Sequence, residues 1–376
     1  MALTLSHYYV DPVGGNDADT GGIGDPWQTL QHALDNVVDG ADGVQINLND
    51  SGPDTLAASL DFSNYVAANG KSTWDKFFVL RGYTAAEGDG GIGEIDGNDG
   101  DFTLFDFAAD DMQYVYLVDL ELHNTGTAHV INSDSSILMR GCTVHTTDAD
   151  AIRAGGYAYI QYCYLYAFGG AGIYSSVAPN TYVYNVIDAT SGTTGIRLYN
   201  YDTAVGNAVL MGATGTYGIN TSGFALNMVM LGNSIYDKDG GAGNIGIYLS
   251  STVRSALVMN NILANLSGVG AIGIAGHAAA QGVKIGPNAF WNCTTDMSTA
   301  DEVYSGYVSD TALGANPFVD AANLDFSLTA TSTARNAAWP NAFLSGSTEL
   351  YLDMGASQHV DPSGGGRRPR IRRHGV

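Results

Sequence analysis

The chain has 376 residues, of which 45% are hydrophobic and only 14% charged, and its 38 acids against 15 bases leave a formal net charge of −23. That is apolar material for a large core, while so acidic a surface repels nucleic acid and anionic membranes, and no uninterrupted apolar stretch is long enough to span a bilayer. Three cysteines, Cys142, Cys163 and Cys293, are too few and too scattered for a disulfide framework or a zinc site.

Glycine (49 residues) and tyrosine (22) are abundant, a mix that suits short strands separated by tight turns. Residues 1–43 read as a strand and a capping helix. The first seven residues show no signal-peptide pattern and run straight into the strand Tyr8-Tyr9-Val10. A complete chain of this kind is expected to leave its cell by a route other than the general secretory one, or by lysis. After a turn at Gly14–Asp17, Asp25 is placed as the N-cap and Pro26 as the first residue of a helix reaching Leu34. Such a helix covers the open edge that a stacked sheet leaves at its end.

Residues 44–300 read as coils, less regular at first, with strands over Val44–Leu48 and Phe77–Arg81. Four-residue segments beginning at Leu120, Cys142, Cys163, Asn185, Asn207, Asn233, Asn261 and Asn288 then recur at steps of 22, 21, 22, 22, 26, 28 and 27 residues. Their third members, Leu122, Val144, Leu165, Ile187, Val209, Ile235, Leu263 and Phe290, are all apolar. A second series, Val130, Ile152, Ile173, Ile196, Ile219, Ile247 and Ile274, keeps pace through the same insertions. Side chains alternate along a strand, so first and third members point inward and second and fourth outward. Coils stacked about 4.8 Å apart then pile like on like. This predicts an all-β, right-handed parallel β-helix. The five asparagines of the first column predict an amide ladder. Cys142 and Cys163, in the same column, read as stacked core thiols whose spacing would also permit a disulfide.

Four groups carry possible chemistry. The loop Asp96-Gly97-Asn98-Asp99-Gly100-Asp101 spaces the oxygens of Asp96, Asn98 and Asp101 like a calcium loop but lacks the downstream glutamate, so a calcium site and a plain turn both stand. The outward row His123, His145, Tyr166 and Asp188, with Glu121 beside it, sets two histidines at strand spacing, where they either share a metal or simply face solvent. Tyr162, Tyr164 and Tyr166 suit a sugar platform or a subunit contact. Arg153, Tyr174 and Arg197 follow the aliphatic column in consecutive coils, with Asp148 and Asp150 just before Arg153. That stripe could grip an acidic sugar; the alternative is an Asp150–Arg153 salt bridge with ordinary surface stacking.

Residues 301–360 read as a closing segment and 361–376 as a Gly-rich linker with a basic tail. Arg367, Arg368, Arg370, Arg372 and Arg373 hold five of the fifteen bases and suit an anchor on an acidic partner or a disordered, solubilising end.

Two runs carry a resemblance. Tyr9-Val10-Asp11, Gly15-Asn16-Asp17, Gly21 and Pro26-Trp27-Gln28-Thr29-Leu30-Gln31-His32-Ala33-Leu34 together resemble the opening of the pectate-lyase-like β-helix superfamily. Asn316-Pro317-Phe318-Val319-Asp320, Asp325-Phe326-Ser327-Leu328 and Asp353-Met354-Gly355-Ala356 resemble its close. The superfamily holds lyases, hydrolases, epimerases, phage tailspikes and inert virion parts, so the resemblance implies a fold more than an activity. Its lyases hold calcium with aspartates and use arginine or lysine as base; its hydrolases use paired aspartates. The coils show no convincing copy of either set. The expectation is therefore a non-enzymatic virion surface protein, such as a phage head decoration, spike or fibre subunit. It would form a homotrimer along its flanks, dock on other virion proteins through the basic tail, and take cell-surface polysaccharide as ligand, with no required cofactor beyond an optional calcium. The alternative is an extracellular polysaccharide lyase or glycoside hydrolase acting on acidic glycans.

Overall fold

A computed structural model describes residues 4–298, 311–338 and 354–356, apart from 71, 74, 110, 111, 125, 135, 167, 178, 213–215, 224 and 336. The basic tail, Arg367 to Arg373, lies outside these residues. The chain divides into two units, Met1–Asn180 and Thr181–Val376, and in each of them short strands wind into three parallel sheets. The fold is the all-β, right-handed parallel β-helix that the aliphatic columns predict.

In the first unit the first sheet stacks Ser6–Val10, Gly43–Asn49, Phe77–Tyr83, Val115–Val118, Ile137–Arg140 and Tyr159–Gln161 in that order. The second sheet stacks Asp54–Thr55, Gly93–Asp96, Leu120–Asn124, Thr143–Thr146 and Tyr164–Tyr166; the third stacks Phe105–Asp106, Ile131–Ser133, Ile152–Ala154 and Ala171–Ser175. The column predicted from Leu122 is in register, with Ile95 on Leu122, Leu122 on Val144 and Val144 on Leu165, all fully buried. Ile152 lies on Ile173 as expected, but its other partner is Ile131, not Val130. Both residues are buried, so the apolar pattern alone does not separate them; the strand begins one residue later.

The N-terminal cap also departs from expectation. Its helix spans Leu30–Asn36 and is capped by Thr29, whose hydroxyl accepts from the His32 N–H. Asp25 and Pro26 do not start it. Trp27 stacks on Tyr8 at 5.2 Å and bridges to Val10, its N–H donating to the Tyr9 carbonyl, which keeps the chain extended up to the cap. Asp17 fixes that junction by accepting from the N–H groups of Gln28 and Thr29 and from the Thr29 hydroxyl. A second short helix, Ser63–Asn69, was not foreseen; it packs Phe62 and Tyr65 against Phe78.

In the second unit the first sheet stacks Thr181–Val183, Thr203–Val205, Met228–Leu231, Ala256–Met259 and Val283–Ile285. The second stacks Val186–Ala189, Ala208–Met211, Ser234–Asp237, Ile262–Ala264, Ala289–Trp291 and Thr311–Ala312; the third stacks Thr194–Leu198, Tyr217–Thr221, Ile245–Leu249, Ile272–Gly276 and Thr295–Ser298. Ile187, Val209, Ile235, Leu263 and Phe290 pair in sequence, as do Ile196, Ile219, Ile247 and Ile274.

The amide ladder is present. The side-chain oxygen of Asn207 accepts from both the N–H and the Nδ2 of Asn185, at 3.0 Å each. The same double bond to the next coil repeats from Asn207 to Asn233, from Asn233 to Asn261 and from Asn261 to Asn288. Each of these asparagines is fully buried, and the Nδ2 groups also donate to backbone carbonyls such as Tyr182 and Ala204. The corner just before each of the first four ladder residues holds a left-handed backbone, at Tyr184, Gly206, Gly232 and Asn260, with φ from 55° to 64°. In the first unit the same corner is taken by Asp119, Gly141 and Tyr162, and Cys142 and Cys163 follow as free, buried thiols.

One expectation fails in the second unit. Second and fourth members were to face solvent, yet Ala208, Leu210, Ser234, Tyr236, Ile262, Ala264 and Ala289 are buried. The chain after the last coil folds back on part of this face, at Ser234, Tyr236 and Ile262. An antiparallel hairpin, Phe318–Asp320 with Asp325–Leu328, sets Phe318 edge-on to Tyr236 at 6.3 Å. Gly355 then donates its N–H to the Asn260 carbonyl, and the Ala356 N–H donates to the Ser234 hydroxyl. Alternation predicts which way a side chain points, not what later covers it.

Candidate functional site

The outer face of the second sheet in the first unit stays open, and there the chemistry collects. Two outward columns run up it. One holds Glu94, Glu121, Thr143 and Tyr164; the other holds Asp96, His123, His145 and Tyr166, each residue registered on the next. Parallel strands hold such partners about 4.8 Å apart, so the rings stack. His123 lies on His145 at 4.4 Å and 12°, His145 on Tyr166 at 4.6 Å and 2°, and Tyr164 beside Tyr166 at 5.1 Å and 14°. Rings stacked in this way cover one another's faces and offer their edges, which carry the imidazole nitrogens and the phenol hydroxyls.

The electrostatics follow from crowding. Burial raises the Glu94 carboxyl above its ordinary range, and the neighbouring carboxylates of Glu121 and Asp96 add to the effect. Burial, with His123 beside it, lowers His145 to about 4, so this imidazole is neutral near pH 7 and offers one donor and one acceptor. Burial and the two glutamates raise the Tyr166 phenol, keeping it protonated. His123 has its Nδ1 3.7 Å from Asp96, while its Nε2 is buried without a hydrogen-bond partner among the described residues. The face is thus a ribbon of donors and acceptors beside a pair of carboxylates, one of them biased to hold a proton.

Of the predicted row, His123, His145, Tyr166 and Glu121 come together. Asp188 belongs to the second unit, where it accepts from the N–H and hydroxyl of Thr190. Tyr162 occupies a corner with φ 55° and leaves Tyr164 and Tyr166 as the outward pair. Glu94 was missed, and Asp96 was assigned elsewhere. The signal was available: Gly93-Glu94-Ile95-Asp96 has the same alternation as Leu120-Glu121-Leu122-His123.

The Arg153 flank is partly assembled. The Arg153 guanidinium sits 5.7 Å from the centre of the Tyr174 ring, its partner on the next strand. Arg197 lies in the second unit, registered on Asn220. Asp150 is engaged away from Arg153: its carboxylate accepts from the Ala171 N–H at 2.7 Å and stands 3.9 Å from His129. Asp148 is exposed.

In the acidic loop, Asn98 and Asp99 adopt left-handed turns with φ 49° and 58°. Asp96 accepts from the Asn98 N–H, and Asp101 accepts from the N–H and hydroxyl of Thr127, which hold its carboxyl below the usual range. Asp96 and Asp101 are therefore tied to different partners, a division that suits a turn better than a shared cation. Among the described residues no group of three or more His, Cys, Asp or Glu is placed to hold a metal ion. No helix among them is long and apolar enough to cross a membrane.

No protein-family model matches the chain, and no curated protein matches it. Solved structures share its fold. A GH136 lacto-N-biosidase from Eubacterium ramulus aligns at 13% identity and a TM-score of 0.52, over 82% of this chain and 68% of that one. Pectate lyase Pel9A aligns at 14% identity and a TM-score of 0.52, over 95% of this chain and 97% of that one. The Dettilon tailspike protein is more distant, at 13% identity and a TM-score of 0.41, over 77% and 62%. At these identities the likeness is one of fold. The chain has the right-handed parallel β-helix fold.

Proposed function

We propose that this protein engages carbohydrate through the outer face of the second sheet in its first unit. The observation that carries the reading is the ribbon of stacked ring edges, His123, His145 and Tyr166, beside Glu94, Glu121 and Asp96. Sugar hydroxyls are both donors and acceptors. A neutral imidazole, phenols and carboxylates in one rigid row meet both roles without needing a loop to order. Titration of the full chain against a glycan array tests it: binding that is lost in His145→Ala and Tyr166→Ala supports the reading, and binding unaffected by both overturns it.

The setting we favour is a non-enzymatic virion surface component, a decoration, spike or fibre subunit, with an extracellular protein as the alternative. Homotrimer formation and docking through Arg367–Arg373 belong to that setting. Its support is the contrast between an acidic chain and its basic last residues. Co-sedimentation with virus particles, lost when the tail is removed, checks it.

A second reading has its own observation. Glu94 and Glu121 are registered neighbours, and the Glu94 carboxyl is raised. Carboxyls on registered residues of adjacent strands, one of them raised, suit glycosidic bond cleavage with retention, which takes two carboxyls roughly 5 Å apart. Release of new reducing ends, abolished in Glu121→Gln while binding persists, would move the assignment from binder to hydrolase.

A further inference from the structure

The first sheet of the first unit carries another surface, separate from the face above. Its outward column runs Val79, Tyr116, Leu138 and Tyr159, each registered on the next. Tyr114 and Tyr157 project from the turns that lead into the Tyr116 and Tyr159 strands. Tyr114, Tyr116, Ser136, Leu138, Tyr157 and Tyr159 line an open groove of about 310 Å³. Phe77 holds Tyr116 in place, edge-on at 5.3 Å.

Three features of the groove bear on what it takes. Tyr114 and Tyr157 hold φ of 51° and 64°, and Tyr157 is 70% exposed. A left-handed backbone costs a bulky residue roughly 1–2 kcal/mol, and asparagine or glycine would make the same turn for less. What tyrosine adds at these positions is its ring, and the Tyr157 ring is not buried in the core. The lining holds no acid or base, although the chain carries a net charge of −23. The hydroxyls of Tyr114, Tyr116, Tyr157 and Tyr159 make no hydrogen bond to any described residue.

We infer that this groove binds a neutral pyranoside chain. The tyrosine rings take the C–H faces of the sugars, and the phenol hydroxyls bond the hydroxyls at their rims. An anionic sugar would enter the field of an acidic protein without one base to receive it, and a second copy of the chain would meet the same repulsion. An alkyl chain would bury phenols without hydrogen-bond partners. The inference shares with the proposed function only its ligand class, since it uses none of the same residues.

Calorimetric titration of the full chain with tetrasaccharides of glucose, galactose and N-acetylglucosamine, and with tetragalacturonate, tests it. A neutral tetrasaccharide is expected to bind with an affinity that salt does not change, and tetragalacturonate is not. Tyr159→Ala should weaken that binding about tenfold or more. Tyr157→Asn is the sharper variant, because asparagine accepts the left-handed turn: the melting temperature should hold or rise while affinity falls about tenfold. A purely structural tyrosine would lower stability instead. Binding that is lost in His145→Ala and kept in Tyr157→Asn would assign the sugar to the second-sheet face and not to the groove, so failure here and failure of the second-sheet reading are separable. Absence of binding to all three neutral sugars, binding that survives both tyrosine variants, preference for tetragalacturonate, or a self-associated species dispersed by Tyr157→Asn would each overturn the inference.

Discussion

The outer face of the second sheet is built twice and finished differently. In the first unit it carries glutamate, aspartate, histidine and tyrosine and is left half exposed. In the second unit the same positions are largely apolar and buried, as at Ala208, Leu210, Tyr236, Ile262 and Ala264, and the chain's own return meets Ser234, Tyr236 and Ile262 among them. The backbone geometry is shared, so the distinction lies entirely in the side chains at second and fourth positions. An apolar outer column binds a segment of its own chain, and a polar one is free to meet something else. Function in this fold is read from the outer columns, and stability from the inner ones.

The largest test removes the cover. Phe318→Ala takes a buried ring, 2% exposed, from over Tyr236. Destabilisation of about 3–5 kcal/mol is expected by chemical denaturation, with new binding of a hydrophobic dye. The same dye should find no new site when Tyr166 is cut to alanine, because that face is already open.

Inner columns sharpen the contrast. Asn233→Ala removes the acceptor of the buried Asn207 N–H and of one Asn207 Nδ2 hydrogen, and one of the two donors to the Asn261 oxygen. A loss of about 3 kcal/mol or more is expected, against about 1 kcal/mol for Cys142→Ala at the equivalent place in the first unit.

A pH scan reads the polar face. As pH falls, the unfolded chain protonates His145 near its ordinary 6.5, whereas the folded chain resists until about 4. The His145 contribution to stability is therefore present above that window and lost across it as pH falls. Comparing melting temperatures of the native protein and His145→Gln from pH 7 to 4 isolates it: the variant should show the shallower decline.

The smallest effect concerns the paired glutamates. Glu121→Gln removes a like charge registered on Glu94, so stability at neutral pH should rise by roughly 0.2–1 kcal/mol and the Glu94 carboxyl should titrate lower. A loss of stability instead would mean that the two share a proton.

The sequence made the inner columns legible because two independent signals coincide there, apolar alternation and a recurring step. Ile187, Val209 and Ile235 could be aligned without coordinates for that reason. Where only one signal acts, the reading slips: Val130 and Ile131 are equally apolar, and Asp25-Pro26 satisfies local capping rules that the Trp27 bridge to Val10 overrides. Before residue 113 the recurrence is too irregular to align, so Glu94 and Asp96 were not placed in the row that begins with Glu121 and His123. The tyrosine groove was invisible for a different cause. Two of its four tyrosines sit at turn residues with left-handed backbone, which no strand pattern marks.

Coil length offers a last consequence. In the second unit the link from the second sheet to the third grows from 190–193 to 238–244, yet the corner between first and second sheets stays at the pairs Tyr184-Asn185, Gly206-Asn207, Gly232-Asn233 and Asn260-Asn261. The asparagines keep their vertical alignment through every change of length. They act as an indexing spine: each new turn of chain is clamped to zero offset before it starts, so loop insertions do not accumulate as phase error. Loops such as 238–244 and 265–271 are accordingly the places where length can change, so long as the bonds of the buried Asn244 to Asp237 and Thr216 are kept.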